Sequence, residues 1–329
     1  MPCFRPLKGY RAKSVNPNGK RSIVFSPLKA YSVLPEDMET LPCGQCIYCR
    51  LEHSRNAAIR CSHEASLYES NCFLTLTYSP KHLPAFGSLD YDAPVKFMKD
   101  LRKVYGPGIR SYGCAEYGSE FTRPHYHLCI FNHDFSDKVL WSNRDDNPLY
   151  TSKALSDLWP LGHSTIGDLT FESAAYVARY VTKKITGRRA ESHYETHDPK
   201  TGEIFTRPPE RSICVSRMPG IGREWLEKNA RYILNNDFII SRGKRVRPPK
   251  YYDRLLEKLY PNEFAIIKAA RREQGEVLSE KLIAEDHQAM IEFFKNHDHE
   301  DQTPKTRLNV MEDVQELKAK QLIRGLENG

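Results

Sequence analysis

The chain has 329 residues, 40% hydrophobic and 28% charged, and its 49 Lys+Arg against 42 Asp+Glu give a net charge of +7. That balance supports a sizeable core, argues against global disorder and suits a polyanionic partner without naming one. No run approaches the roughly 20 apolar residues that span a bilayer, and the first thirty residues hold no apolar signal segment, so a soluble, intracellular chain without a membrane partner is expected.

Residues 1–50 are rich in Pro, Gly and Cys. Ala57, Ala58, Cys61, Ala65 and Leu67 then recur at helical spacing, which predicts a helix over 51–68. Cys72-Phe73-Leu74-Thr75-Leu76-Thr77-Tyr78 alternates with a period of two and reads as a strand. A helix follows over 93–104, closed by Gly106-Pro107-Gly108, and two strands at 110–117 and 125–131 flank a turn-like 118–124. Residues 138–160 carry no clear signal. A helix is expected over 172–186, stopped by Gly187, and a polar exposed loop over 188–213. Ser216–Gly222 is a compact turn before a short helix at 224–234, and beyond Tyr252 the chain is charged and helix-forming. The order strand, helix, strand, strand, helix predicts an α+β fold, an antiparallel sheet with helices on one face. The composition divides the chain into 1–50, 51–252 and a peripheral helical tail, 253–329.

The sharpest chemical signal is Arg123-Pro124-His125-Tyr126-His127. On a strand, His125 and His127 share a face, so two imidazoles can ligate one divalent cation. Such a pair also fits a solvated strand face; Glu116 on the preceding strand changes that balance. A turn centred on Glu120-Phe121 places Glu116 opposite His125, and one centred on Phe121-Thr122 places it opposite His127. Either register makes Glu116 a third ligand. Tyr176, Arg179, Tyr180, Lys183 and Lys184 form a second group. Tyr176 and Tyr180 stack one helical turn apart with Lys183 completing the stripe, where a cation favours phenolate attack.

Cys43-x-x-Cys46-x-x-Cys49 is the third group. Three thiolates at this spacing suit structural Zn²⁺, and a tetrahedral site wants a fourth ligand, with Cys3 the obvious supplier and His53 the alternative. Cys61, Cys72, Cys114, Cys129 and Cys214 sit in apolar or strand contexts and read as packing residues. Arg242, Lys244, Arg245 and Arg247, interleaved with Tyr251 and Tyr252, form a basic cluster able to track a nucleic-acid backbone and stack bases. No Gly-x-x-x-x-Gly-Lys-Ser/Thr loop occurs, so no helicase motor is expected.

In this order the motifs resemble the HUH endonucleases, with a ferredoxin-like palm: Phe73–Tyr78 as motif I, His125-Tyr126-His127 as motif II, and Tyr176-x-x-x-Tyr180 with Lys183 as motif III. The paired tyrosines are similar to the replication initiators of the Microviridae. Met1-Pro2-Cys3, Pro42–Arg50 and Met218–Trp225 look like the gokushovirus branch. The resemblance covers about residues 1–252. It implies a rolling-circle replication initiator, a nickase-ligase dependent on Mg²⁺ or Mn²⁺ held by His125, His127 and Glu116. Tyr176 and Tyr180 would be the nucleophiles and Lys183 their phosphate-steadying cation. Arg179 is a weaker candidate for that role, and it is grouped with Lys184 and the second basic cluster as DNA-binding. The implied partners are single-stranded or supercoiled circular DNA at a phage origin and host helicase and polymerase, in the cytoplasm of a bacterial host. Two other readings remain: a zinc-containing nucleic-acid binder without nuclease activity, and a metal-dependent hydrolase without a covalent intermediate.

Overall fold

A computed structural model describes all residues except 1–2, 18, 119–122, 145–146, 181–183, 186–188, 199–200, 297–304 and 328–329; the side chains of 144, 180, 189, 296 and 319–327 also lie outside the description. The elements, in chain order, are β1 (Leu7–Arg11), β2 (Ile23–Val24), β3 (Glu39–Leu41), α1 (Ile47–Ala65), β4 (Asn71–Tyr78), α2 (Asp92–Tyr105), β5 (Arg110–Tyr117), β6 (Pro124–Phe131), β7 (Val139–Arg144), β8 (Asn147–Thr151), α3 (Lys153–Leu158) and β9 (Gly162–Gly167). They continue with α4 (Phe171–Tyr180), α5 (Arg189–Tyr194), β10 (Glu195–His197), β11 (Ile204–Thr206), β12 (Arg211–Ile213), α6 (Arg223–Asn236), β13 (Ile239–Ser241), β14 (Lys244–Val246), α7 (Lys250–Leu259), α8 (Pro261–Asn296) and α9 (Arg307–Glu327). Two compact units result, one of Met1–Glu52 with Leu278–Leu326, the other chiefly His53–Val277. Among the described residues, no helix is long and apolar enough to cross a membrane.

The larger unit is built on an antiparallel sheet of order β12-β5-β6-β4-β9-β8-β7. β4 shows why the sheet has two unlike faces. Its even residues, Cys72, Leu74, Leu76 and Tyr78, are buried, while its odd residues, Asn71 to Thr77, are only half-buried. The even set packs with Phe97, Met98 and Leu101 of α2, Leu155 of α3 and Trp159. Full burial of such side chains stabilises by about 1.5–3 kcal/mol each.

The opposite face, through Tyr112, Cys114, Cys129 and Phe131, is covered by Ala57, Ala58 and Cys61 of α1 and Ala174, Val177 and Ala178 of α4. Small residues let these helices lie close to the sheet. The α+β class and antiparallel sheet are as the sequence implies; helical cover extends to both faces, because helical periodicity identifies an apolar stripe but not the face it meets. Cys61, Cys72, Cys114 and Cys129 are all fully buried packing residues, as expected.

Other differences are local. Residues 138–160 contain β7, β8 and α3, and β9 follows, all short elements. Residues 188–213 are not one exposed loop: α5, β10, β11 and β12 lie there, and Tyr194 and Glu210 are buried. α4 is described as far as Tyr180; of the rest of the expected helix, 181–183 and 186, with Gly187, lie outside the described residues, and Lys184 and Ile185 are not helical. A third cluster joins Ile59, Leu226, Ala230, Ile233 and Ile239 to Tyr252, Leu256, Phe264 and Ile267, so the first turns after Tyr252 belong to the core and are not peripheral. The Pro219–Gly222 turn is structural. A Cβ at Gly222, at φ +76°, would meet the Tyr252 hydroxyl at 2.4 Å, and the Gly222 N–H donates to buried Glu64 at 2.6 Å.

The smaller unit holds the sheet β2-β1-β3, with Phe4 edge-on to Tyr48 at 5.9 Å between centroids and Arg5 paired to Glu312 at 3.1 Å.

Candidate active site and metal centre

Register builds the site. Glu116 of β5, His125 of β6, Thr77 of β4 and His163 of β9 form one cross-strand row, and Cys114, His127, Thr75 and Thr165 form the next. Cross-strand partners share a face, so both histidines and Glu116 lie on the face that α4 covers. Of the two registers the sequence left open, the structure has Glu116 opposite His125. The Glu116 side chain nevertheless reaches diagonally, and its Oε1 lies 2.9 Å from Nε2 of His127.

His127 is only 6% exposed and is engaged at both nitrogens, with Nδ1 at 3.0 Å from Thr75 Oγ1. Without an ion, Nε2–H donates to the Glu116 carboxylate and Nδ1 accepts from the Thr75 hydroxyl; an ion on Nε2 would require the other tautomer, with Nδ1–H donating to Thr75 Oγ1. His125 is oriented differently: its Nδ1–H donates to the Arg123 carbonyl at 2.7 Å, which turns Nε2 into the ligand atom. Burial, then the neighbouring His127, holds the His125 pKa below its ordinary value and favours the neutral, ligating form. Gly118 gives this ring its room, since a Cβ there would stand 2.9 Å from His125 Cε1.

Two imidazoles and a carboxylate are a donor set for a divalent cation. The 2.9 Å between His127 and Glu116 matches the edge of about 3.0 Å in an octahedron with bonds near 2.1 Å. His125 stands further off: its ring is parallel to that of His127 at 6.4 Å between centroids, and the three donors are not all within 4.8 Å of one another.

α4 brings Tyr176 to the same place. Its ring meets His127 edge-on at 5.1 Å and Phe73 at 6.5 Å between centroids. Tyr180 is the last described residue of α4, its side chain outside the described residues, as is all of Lys183. Arg179 is half-buried and Lys184 exposed.

The second metal-binding candidate is in the smaller unit. The sulfurs of Cys3, Cys43, Cys46 and Cys49 all lie within 4.8 Å of one another, so Cys3 is the fourth member and the group could hold a metal ion such as zinc. Cys3 and Cys46 sulfurs are 3.8 Å apart, the edge of a tetrahedron with metal–sulfur bonds of about 2.3 Å. Although burial raises the Cys43 pKa, N–H donors from Cys46 and Gln45 bring it down to about 7, the thiolate form that ligation needs.

Arg242, Lys244, Arg245 and Arg247 are exposed on and beside the β13–β14 hairpin. Arg242 and Gly243 form its two-residue turn at φ 51° and 70°. Arg242 pairs with Glu172, in the first turn of α4, at 3.2 Å. The tyrosines expected to stack bases do not both face solvent: Tyr252 is fully buried against His63 and Trp225, and Tyr251 packs under Arg60 at 3.9 Å.

Comparison with known proteins gives the family. The family model for the replication-associated protein ORF2/G2P matches residues 71–185, the span from β4 past α4 that carries the histidines, Glu116 and both tyrosines. Replication-associated protein VP4 of Bdellovibrio phage phiMH2K is 30% identical over 312 residues, covering 89% of this chain and 90% of the relative. The chain belongs to the phage replication-associated proteins of the Microviridae type. Replication-associated protein ORF2 of Spiroplasma virus 4 is 34% identical over 287 residues (80% of this chain, 83% of the relative), and ORF4 of Chlamydia phage 1 is 28% identical over 242 residues (70% and 57%). No solved structure matches the chain.

The sequence did not single out Thr75, which bonds His127, or His163, an exposed residue in register with Thr77 in this phage replication-associated chain. Thr75 was signalled by the Leu-Thr-Leu-Thr alternation of β4, which puts hydroxyls on the histidine face. His163 lies in a strand too short and polar to be recognised.

Proposed function

We propose that the chain initiates rolling-circle DNA replication by metal-dependent, strand- and site-specific nicking and rejoining. One observation carries this reading: the Tyr176 ring against His127, itself hydrogen-bonded to Glu116, sets a candidate nucleophile beside candidate metal ligands. A Mg²⁺ or Mn²⁺ ion on His125, His127 and Glu116 would polarise the scissile phosphate and offset its charge. The phenolate oxygen of Tyr176 or Tyr180 attacks phosphorus, forming a P–O(Tyr) bond and breaking the P–O3′ bond. The 3′ oxygen takes a proton and leaves as a free 3′-OH, with the 5′ phosphate retained on tyrosine. Attack by a 3′-OH reverses the step, so rejoining consumes no nucleotide cofactor. A second tyrosine lets the regenerated junction be cut while the first linkage is resolved.

Lys183 steadies the transferred phosphate, and Arg179, Lys184, Arg242, Lys244, Arg245 and Arg247 hold the strand through its phosphates. Zn²⁺ on Cys3, Cys43, Cys46 and Cys49 has a structural role in the segment 1–50, with catalysis assigned to 51–252. The substrate is single-stranded or supercoiled circular phage DNA. Host helicase and polymerase complete the reaction in the bacterial cytoplasm.

The test is mass spectrometry after incubating the chain with Mn²⁺ and single-stranded oligonucleotides tiling the encoding genome, followed by nuclease digestion. A nucleotide adduct on Tyr176 or Tyr180, lost with EDTA and in His125→Ala, is the expected result. Nicking without an adduct would favour a metal hydrolase. Binding with neither would make the protein a nucleic-acid binder.

A further inference from the structure

The face of the sheet that carries the histidines continues one residue pair beyond them. Pro124 biases the residue before it towards extended backbone, so the alternation of β6 runs back through Arg123. Arg123, His125 and His127 therefore share a face, with successive members roughly 6.6 Å apart along the strand. The Arg123 backbone is pinned there, because its carbonyl accepts from Gly118 N–H at 2.9 Å and from His125 Nδ1–H at 2.7 Å.

The Arg123 side chain is held less firmly. Among the described residues, its half-buried guanidinium has no carboxylate partner, and the hydrogen bond it makes, to the Tyr78 carbonyl, is long at 3.5 Å. Arg110 and Arg60, half-buried like it, are better served: Arg110 pairs with Glu64, and Arg60 donates to the Ile221 carbonyl at 3.0 Å. The Arg123 charge also reaches the site. Burial and the neighbouring His127 lower the His125 pKa most, and Arg123 adds to them.

Metal ligation by itself gives no reason for a fixed positive charge beside His125, since a divalent ion on that ring would be repelled by it. An anion shared between the two removes the conflict, and a phosphate has two non-bridging oxygens to share. The position is also reachable. Tyr176 covers His127, which is buried, whereas His125 and Thr77 in the next row are half-buried and His163 is exposed. Arg123 stands one step further towards that open end.

We propose that Arg123 is a catalytic residue whose guanidinium donates to a non-bridging oxygen of the scissile phosphate. The proposal rests on the reading of this face as a nicking site. Arg123 transfers no proton. It stays charged throughout, and its planar fork of N–H donors holds the phosphate oxygen as the tyrosine oxygen adds to phosphorus and the 3′ oxygen leaves. The contact strengthens as charge accumulates on the non-bridging oxygens, so it acts on the rate of the step more than on the binding of DNA.

The test times adduct formation in a single turnover with Mn²⁺ at saturating oligonucleotide, after the tiling set has located the junction, and measures Mn²⁺ affinity by calorimetry without DNA. Arg123→Ala should slow the adduct about 100-fold while Mn²⁺ affinity stays within about threefold of the parent. Arg123→Lys, which keeps the charge but not the fork, should slow it about tenfold. Arg123→Gln, which keeps an N–H donor without the charge, takes the place of the alanine variant if that one does not fold. Slowing of less than about threefold overturns the proposal, and so does a deficit that saturating DNA removes. Weakened Mn²⁺ binding would overturn it too, making Arg123 a support for His125 instead. A parent protein that forms no adduct would sink the covalent reading itself, and this role with it.

Discussion

Thr75 illustrates how much of this site is decided by one hydroxyl. His127 faces a carboxylate on one side and Thr75 on the other, so its ring plane is held at both nitrogens, and the Thr75 hydroxyl can accept from Nδ1–H when Nε2 gives up its proton to a ligand role. Thr75→Val keeps the β-branched shape that suits β4 and removes only the hydrogen bond. Metal affinity is expected to fall about 10–100-fold with the fold intact, checked by Mn²⁺ titration calorimetry; an unchanged affinity would show that His127 needs no second partner. The placement of the candidate ligands on one face was legible. His-x-His on a strand forces a shared face, and Glu116 followed from hairpin parity, which both open registers satisfied. The diagonal reach of Glu116 to His127 was not legible, because side-chain length and rotamer choose between neighbours that register merely brings near.

Among the elements, the β13–β14 hairpin joins the basic cluster to α4. The Arg242–Glu172 pair has both side chains mostly exposed, so it contributes little to stability, at most about 1 kcal/mol, and is readily exchanged for a phosphate. Arg242→Ala is expected to leave the melting temperature nearly unchanged. It should weaken binding to single-stranded DNA of any sequence and reduce the slope of log K against log salt by about one. Fluorescence anisotropy across a salt series measures that slope, and an unaltered slope would remove Arg242 from the DNA path. The hairpin was readable as a charge run, and only the pairing Ile239↔Val246 turned that run into a loop tip held at the tyrosine helix. The strands and helices with strong periodicity, β4, α2, β5 and β6, were readable with small end shifts. β7 to β9 and β10 to β12 were not, since they are short and held by cross-strand partners distant in sequence.

At the scale of the whole molecule, two measurements address what holds the units together internally. His63 stacks on Trp225 at 3.4 Å, and its pKa is lowered by burial from 6.5 to about 4. Between those values the unfolded chain binds the proton and the folded chain does not. Stability is therefore complete above about pH 6.5, declines as pH falls to 4, and changes no further from this group below that. The loss, on the order of 3 kcal/mol, should appear in denaturant midpoints taken from pH 7 to 4 and shrink in His63→Phe. In the smaller unit, stripping metal with a strong chelator should speed amide exchange in β1, β3 and the first turn of α1 about tenfold or more, with Cys46→Ser reproducing the effect. Exchange that ignores both treatments would leave the four cysteines without a metal.

The amino-acid order alone determined the residue types of the site, the shared face of His125 and His127, the alternation of β4 and the clustering of three cysteines. These are consequences of local geometry, the period of a strand or helix and the ligand preferences of thiolates, which act over a few residues. Tertiary structure decided the rest: which helices cover which face, the closing of the thiol group by Cys3 from 40 residues away, the burial of Tyr252 and the first turns after it, and the hydrogen bond between Tyr194 and Glu210. Those depend on where separate segments meet, and a meeting between distant segments is chosen by the burial and hydrogen bonding of the whole core rather than by any pattern written in one stretch of chain.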